Sequence, residues 1–383
     1  MKELDRSALR IPGHKLLDEL LERVEAKKQI LAERDKAYGA ARVRISSYPE
    51  NITLPGLFGF DMNDYYKNPQ LALEISLRSK IFWLDNSRDD GLASPDITVA
   101  SMYFDMTLFG IEIKYQSDGV PLYGAHPLME KADLTLLAPF DFYLSGEMPV
   151  THERYRAIKK LSREVYDDRL AIEFPNFSRG PLDIYVQLRG YENFIDDTSG
   201  DARFTRELLS FIVDERNRYN QKVAELNLRP REKVFIADDW VNVPFISPRI
   251  FEEYVLPAYR QIQENEGDVT GFHTCGVFGA TAAQLLGAFP TIRSIDISGW
   301  NDFALMDDTI DQKIDFNLQF INTFVLFAPE EEKRAKLEQI AKIAKHRKVS
   351  VCAQAIVKAH DTLDESIAQM NAFIDLAREV LRQ

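Results

Sequence analysis

The segment Val269-Thr-Gly-Phe-His273-Thr-Cys275-Gly276 carries an imidazole and a thiol two positions apart. It has the pattern of a short strand ending in a glycine turn, and alternation along a strand sends His273 and Cys275 to the same side. The chain holds one other cysteine, Cys352, in the later β-type run Val349-Ser-Val-Cys352-Ala-Gln-Ala-Ile356. Zinc takes thiolate and imidazole ligands, and its catalytic sites use three protein ligands, Cys2His among them, with the fourth position open to water or substrate. His273, Cys275 and Cys352 are therefore the candidate metal ligands. The same residues also admit two plainer readings: small buried thiols beside a core histidine, or a disulfide. Spacing alone does not choose among the three.

Two carboxylates extend the chemistry. Asp238 and Asp239 follow a β-type run directly, a place that puts at least one of them at the C-terminal mouth if the strands form a barrel. Asp239 is the candidate for orienting substrate or handling a proton, with a turn or helix cap as the structural alternative for either residue. Asp296, inside Ser294-Ile-Asp-Ile297, is a similar neighbour for the metal. Gly276 and Gly279 open the next helix, whose free amides suit an anionic group, although glycines there also serve simply to turn the chain. His14, His126, His152 and His346 sit among polar or loop residues and are expected to be solvated. His360 precedes the last helix and has no assigned partner.

These residues need elements to hold them. Period-2 and apolar runs predict strands at 96–100, 170–174, 234–237, 269–273, 294–297, 316–320 and 349–353. Helices alternate with the later ones. Ser247-Pro248 opens one, with serine as N-cap and proline at the first helical position. Pro329-Glu-Glu-Glu opens another, and Thr362-Leu-Asp-Glu365 is a capping box at the head of the last. Leu17, Leu20, Leu21, Val24 and Leu31 mark an N-terminal helix over 15–39, while 48–64, rich in proline and glycine, is expected to be a loop. The aromatics Phe58, Phe60, Tyr65 and Tyr66 suit packing, or the wall of a pocket for an aromatic ether.

Strands alternating with helices imply parallel βαβ units. A (β/α)8 TIM barrel is favoured over an open doubly wound sheet, because no Gly-x-Gly-x-x-Gly or Gly-Lys-Ser/Thr loop follows the early strands and the reactive residues recur at the ends of several strands. Residues 1–75 are expected to form a helical, aromatic N-terminal extension packed on a barrel of residues 76–383.

Composition narrows the function classes. A formal net charge of −13 disfavours a nucleic-acid surface. No run approaches the ~18 apolar residues of a membrane span. Met1-Lys-Glu-Leu-Asp-Arg lacks the pattern of a secretory signal, and two cysteines fit a reducing compartment, so the cytoplasm is expected.

Several segments together resemble one family. Gly180-Pro-Leu-Asp-Ile-Tyr-Val-Gln-Leu-Arg-Gly190, Asp238-Asp239-Trp240 leading to Ile246-Ser-Pro248, Tyr254-Val-Leu-Pro257, and His273-Thr-Cys275-Gly276 are similar to the uroporphyrinogen decarboxylase superfamily, with Phe109-Gly-Ile-Glu-Ile-Lys-Tyr115 continuing the likeness upstream. His-x-Cys-Gly followed by one distant cysteine resembles its zinc methyltransferase branch, which works with methyl-corrinoid proteins. The resemblance implies a (β/α)8 barrel, zinc on His273, Cys275 and Cys352, and Tyr185 and Arg189 as family-like positions on the substrate side. It implies a corrinoid (cobalamin) carried by a partner protein, since no Asp-x-His-x-x-Gly pattern is present. The early Arg-Gln-Ala-Gly-Arg segment of the decarboxylases has no counterpart, which argues against porphyrinogen decarboxylation.

Two thiolates would leave the protein part of such a zinc site about neutral. Such a zinc lowers the pKa of a bound thiol or polarises a bound ether or hydroxyl oxygen. The substrate is then a thiol such as coenzyme M, or a methyl ether or other methylated compound. The alternatives are a metal-free lyase for a carboxylated substrate, with Asp238 or Asp239 as its acid, and a zinc-bearing barrel that only binds.

Overall fold

The computed structural model describes residues 13–38, 43–49, 53–117, 119–130, 132–227, 233–356 and 362–381; His360 lies outside them. The strands are β1 (Arg44–Pro49), β2 (Asp96–Thr98), β3 (Ile113–Lys114), β4 (Leu122–Tyr123), β5 (Ala171–Glu173), β6 (Lys233–Ala237), β7 (Asp268–His273), β8 (Ser294–Ser298), β9 (Asp315–Phe320) and β10 (Val349–Ile356). A six-stranded parallel sheet runs β1-β10-β9-β8-β7-β6, β2 pairs with β5 in parallel, and β3 and β4 make a small antiparallel hairpin. The first two groups are the strands of the expected (β/α)8 barrel, with helices between them.

All seven strands predicted from sequence are present; β1 and the two strands of the hairpin, β3 and β4, were missed. β1 falls inside the segment expected to be an extension, yet it pairs with β10 from Arg44↔Ser350 to Ser47↔Ala353. The helix Leu16–Tyr38 does precede the barrel as expected. The expected loop at 48–64 contains the helix Leu54–Phe58 and the start of the helix Met62–Lys67. Proline at the first turn and the Asp61 side chain, accepting from the Asn63 amide at 2.7 Å, explain why turn formers start short helices there. The capping box at the last helix is formed: the Glu365 amide donates to Thr362 Oγ1 at 3.3 Å, and the Thr362 amide to Glu365 Oε2 at 3.1 Å.

Between β1 and β2 the ring is joined not by a ladder but by one backbone bond, from the Asp90 amide to Ile45 O at 2.6 Å, and by side chains. Asp89 Oδ2 accepts from the Ser47 amide at 2.6 Å, and Asp90 Oδ2 from the Ile45 amide at 3.1 Å. Lys27, reaching in from the N-terminal helix, ion-pairs with Asp89 at 2.5 Å. Arg34 and Arg378 hold Asp90 at 2.6 and 2.8 Å. Between β5 and β6, Gly180 and Ala237 make the join, at 2.6 Å from amide to carbonyl, and the Ala237 amide returns to Ser178 O at 3.0 Å.

The strands bury one face under the helices and present polar groups on the other. Ile295, Ile297, Phe316, Leu318, Phe320, Val349, Val351 and Ala353 are buried. Alternating with them, Ser294, Asp296, Asn317, Gln319, Ser350, Cys352 and Gln354 are partly exposed. This polar face lines the inside of the barrel, where packed branched apolar layers are usual.

Candidate metal centre

His273 owes its aim to a bulge. Val234 pairs with Val269 and Phe235 with Gly271, so Thr270 is an extra residue on β7. Simple alternation from buried Val269 would turn His273 toward the helices; the extra residue switches the parity. Gly271 and His273 then share the inner face with Ser294 and Asp296, their register partners on β8, while Phe272 goes to the core. Gly271 lies so close to Phe235 that a Cβ there would come within 2.6 Å of the ring.

Asp239, His273 and Cys275 bring one oxygen, one nitrogen and one sulfur within 4.8 Å of one another. His273 Nε2 lies 3.3 Å from Cys275 Sγ and 3.4 Å from Asp239 Oδ1. Two ligands of a tetrahedral zinc with bonds of ~2.0–2.3 Å are separated by about 3.3–3.6 Å, so these edges match those of a zinc polyhedron. The other ring nitrogen, Nδ1, donates to Asp296 Oδ2 at 3.0 Å, which leaves Nε2 facing Asp239 and Cys275.

Titration behaviour follows from the same contacts. Burial lowers the pKa of His273, but hydrogen bonds to Asp239, Asp296 and Cys275 outweigh it and push it up to about 12. Burial would raise Asp239; the bonds from His273 and Cys275 prevail and hold it below its ordinary value. The Cys275 thiol is pushed up, first by burial and then by the Asp239 charge, against the pull of His273. An ionised Asp239 beside a strongly basic His273 and a thiol that resists ionisation marks a spot that favours one positive charge among them.

The Asp239 loop is held from beneath. Asp183 Oδ1 accepts the amides of Asp239 at 2.9 Å and Trp240 at 3.2 Å. Asp238 does the reverse, accepting the amides of Leu182 at 3.1 Å and Asp183 at 3.0 Å, with the Tyr259 hydroxyl at 2.9 Å. These exchanges pin the start of the helix Pro181–Arg189 to the end of β6, and a Cβ on Gly180 would run into the Asp238 carboxylate. Arg179 joins the group through Asp105 at 2.9 Å and Asp183 at 3.3 Å. Burial, reinforced by the Asp239 charge, pushes Asp183 up to about 7.

The sequence candidates thus separate. His273, Cys275, Asp239 and Asp296 meet. Asp238 is fully buried, with both oxygens taken by the helix start and Tyr259. Tyr185 and Arg189 turn to Asp197, at 2.9 and 2.8 Å, and Arg189 also donates to the carbonyls of Leu128 and Met129. Neither belongs to the triad. Cys352, three strands from β7 on β10, alternates onto the inner face with Ser350 and Gln354 and pairs in register with Gln319. It is not part of the group within 4.8 Å. Neither cysteine is in a disulfide.

Two features were not foreseen. Asn317 Nδ2 donates to Asp296 Oδ1 at 3.0 Å, and Ser350 Oγ donates to Asn317 Oδ1 at 2.7 Å. On the loops after β6, β7 and β8, the apolar side chains of Val243, Phe245, Val277 and Trp300 are exposed. Trp240 stacks on Tyr191, with centroids 5.2 Å apart, and meets Phe245 edge-on at 4.8 Å. Among the described residues, no helix is long and apolar enough to cross a membrane.

Comparison with known proteins places this architecture. No curated protein matches the sequence. Among solved structures, a methyltransferase from Methanosarcina mazei is similar in fold, with 16% identity, 87% of this chain and 93% of that one covered, and a TM-score of 0.62. The sequence matches the uroporphyrinogen decarboxylase (URO-D) family over residues 56–379, and the chain belongs to that family.

Proposed function

We propose that the protein is a zinc-dependent methyltransferase that moves a methyl group between a small substrate and the cobalt of a corrinoid carried by a partner protein. The observation that carries this reading is the triad of nitrogen, sulfur and oxygen at the mouth of the barrel, with edges of 3.3 and 3.4 Å. The donor set suits zinc. His273, Cys275 and Cys352 are the proposed ligands, and Asp239 shares the preassembled face as the group that orients substrate or takes its proton. The fold likeness to a methyltransferase is consistent with this chemistry.

Bound there, zinc would act as a Lewis acid, activating a thiol as methyl acceptor or polarising the leaving oxygen of a methyl ether. The chain's own residues do the rest. Asp296 orients the His273 ring, Asp183 fixes the Asp239 loop, and the exposed Val243, Val277 and Trp300 offer an apolar rim against which a flat macrocycle can lie. We also propose that the protein works in the cytoplasm.

The direct experiment mixes purified protein with a reduced corrinoid protein and a panel of methyl ethers, methylamines and methyl thioethers, following the cobalt(I) absorption. Loss of the cobalt(I) band with one donor, dependent on zinc, is the expected result. A zinc-loaded protein that is inert with every donor, and equally inert in demethylating methylcobalamin with coenzyme M or other thiols, would contradict the proposal.

A further inference from the structure

His273, Asp296, Asn317 and Ser350 occupy one row of the barrel wall. The register pairs His273 with Asp296, Asp296 with Asn317, and Asn317 with Ser350, so four successive strands each contribute one inner side chain to the row. Three hydrogen bonds join them, at 3.0, 3.0 and 2.7 Å. We infer that Asn317 and Ser350 are positioning residues for the metal ligand His273, acting through Asp296; this rests on the zinc reading above.

The direction of each bond supports the inference. The Asp296 carboxylate only accepts, so the Asn317 amide must turn Nδ2 toward it and Oδ1 toward Ser350, whose hydroxyl donates and holds the amide in that orientation. Asp296 Oδ1 is thereby occupied, and Oδ2 is left for His273. The carboxylate in turn fixes the proton on Nδ1 and keeps the Nε2 lone pair toward Asp239 and Cys275 when a metal replaces the proton there. A ligand imidazole is commonly held this way by a carboxylate, and loss of such a partner weakens metal binding by roughly 10–100-fold. Here the orienting device extends two strands beyond the carboxylate. Without Asn317, Asp296 keeps its charge but loses the contact that sets its rotation, and the ring loses its fixed aim.

The test compares Asn317→Ala, Ser350→Ala and a control, Gln354→Ala, whose side chain bonds Gln319 on the same face outside the row. Zinc affinity is read by chelator competition, and ligand geometry by the visible spectrum of the cobalt(II)-substituted protein. Asn317→Ala is expected to weaken zinc about 10–100-fold and alter the cobalt(II) bands. Ser350→Ala should do so by a smaller factor and Gln354→Ala not at all. A merely structural role would change the unfolding midpoint and leave affinity and spectrum alone, and that outcome in folded Asn317→Ala would overturn the inference.

If the wild type bound no zinc, the zinc reading would fail by itself. The row is then judged in metal-free protein carrying 15N-histidine. A hydrogen-bonded Nδ1 proton of His273, protected in wild type and lost to fast exchange in Asn317→Ala, supports it; equal protection in both overturns it.

Discussion

The two sides of the barrel are built by different means. From β6 round to β10 and β1, strands pair continuously, and position on the wall follows from register. From β1 to β2 the link is one backbone bond, from the Asp90 amide to the Ile45 carbonyl, together with the buried carboxylates of Asp89 and Asp90, held in turn by Lys27, Arg34 and Arg378. The first side can set a row of inner groups at fixed spacing, and most of the site lies there. The second closes the ring and joins the N-terminal helix to it. Chemistry and closure therefore respond to different substitutions, which allows them to be separated.

The largest expected effect is on the continuous side. Cys275→Ala should abolish stoichiometric zinc binding and methyl transfer while leaving the urea midpoint near wild type, because Cys275 as a residue is exposed and lies outside the packed core, even though its sulfur is partly shielded by its neighbours. A variant that retains both metal and turnover would remove the triad from the mechanism.

Next comes the closing side. Asp89→Ala leaves Lys27 buried without its carboxylate and two Ser47 donors without their acceptor, a loss of about 3–5 kcal/mol in urea unfolding. Adding Lys27→Met should recover much of it, since breaking a buried pair costs more than replacing it. Zinc affinity of the protein that remains folded should be unchanged. A parallel loss of zinc affinity would show that the two sides are not independent.

A smaller effect arises at Asp183, in the β5–β6 join. Its folded pKa of about 7 stands above the ordinary 3.8. Between those values the native state keeps a proton that the unfolded chain has released, so this carboxyl's contribution to stability falls as pH rises from about 4 to 7 and is flat above. Asparagine accepts the same two amides but cannot ionise. Asp183→Asn, measured against wild type, should therefore gain relative stability across that window, and a constant difference would contradict the burial argument. The smallest expected effect is at the rim. Val277→Lys should slow exchange with a corrinoid protein while changing stability by no more than ~0.5 kcal/mol, as is usual for surface substitutions.

The same division explains what could be read from sequence. Asp-Phe-Asn-Leu-Gln-Phe in β9 and Val-Ser-Val-Cys-Ala-Gln in β10 alternate, whereas strands buried on both faces are apolar throughout. That alternation announces a polar inner face and could have found Asn317 and Ser350. β1 escaped because Arg44-Ile-Ser-Ser-Tyr-Pro49 is half polar and ends in proline, and one of its edges is satisfied by aspartates that no local pattern predicts. His273 and Cys275 were correctly placed on one side, but that this side is the inner one depends on the bulge at Thr270, which arises from pairing with β6. Asp238 and Asp239 look alike as neighbours in sequence. Only the packing of the helix Pro181–Arg189 against β6 takes one into the core and leaves the other beside His273 and Cys275.

The most direct measurement is the zinc content and zinc K-edge absorption of the purified, metal-reconstituted wild-type protein. One zinc per chain with nitrogen and sulfur in its coordination sphere is predicted, two sulfurs placing Cys352 beside Cys275 and one placing Asp239 in its stead. A well-folded protein that takes up no zinc would contradict the proposed centre.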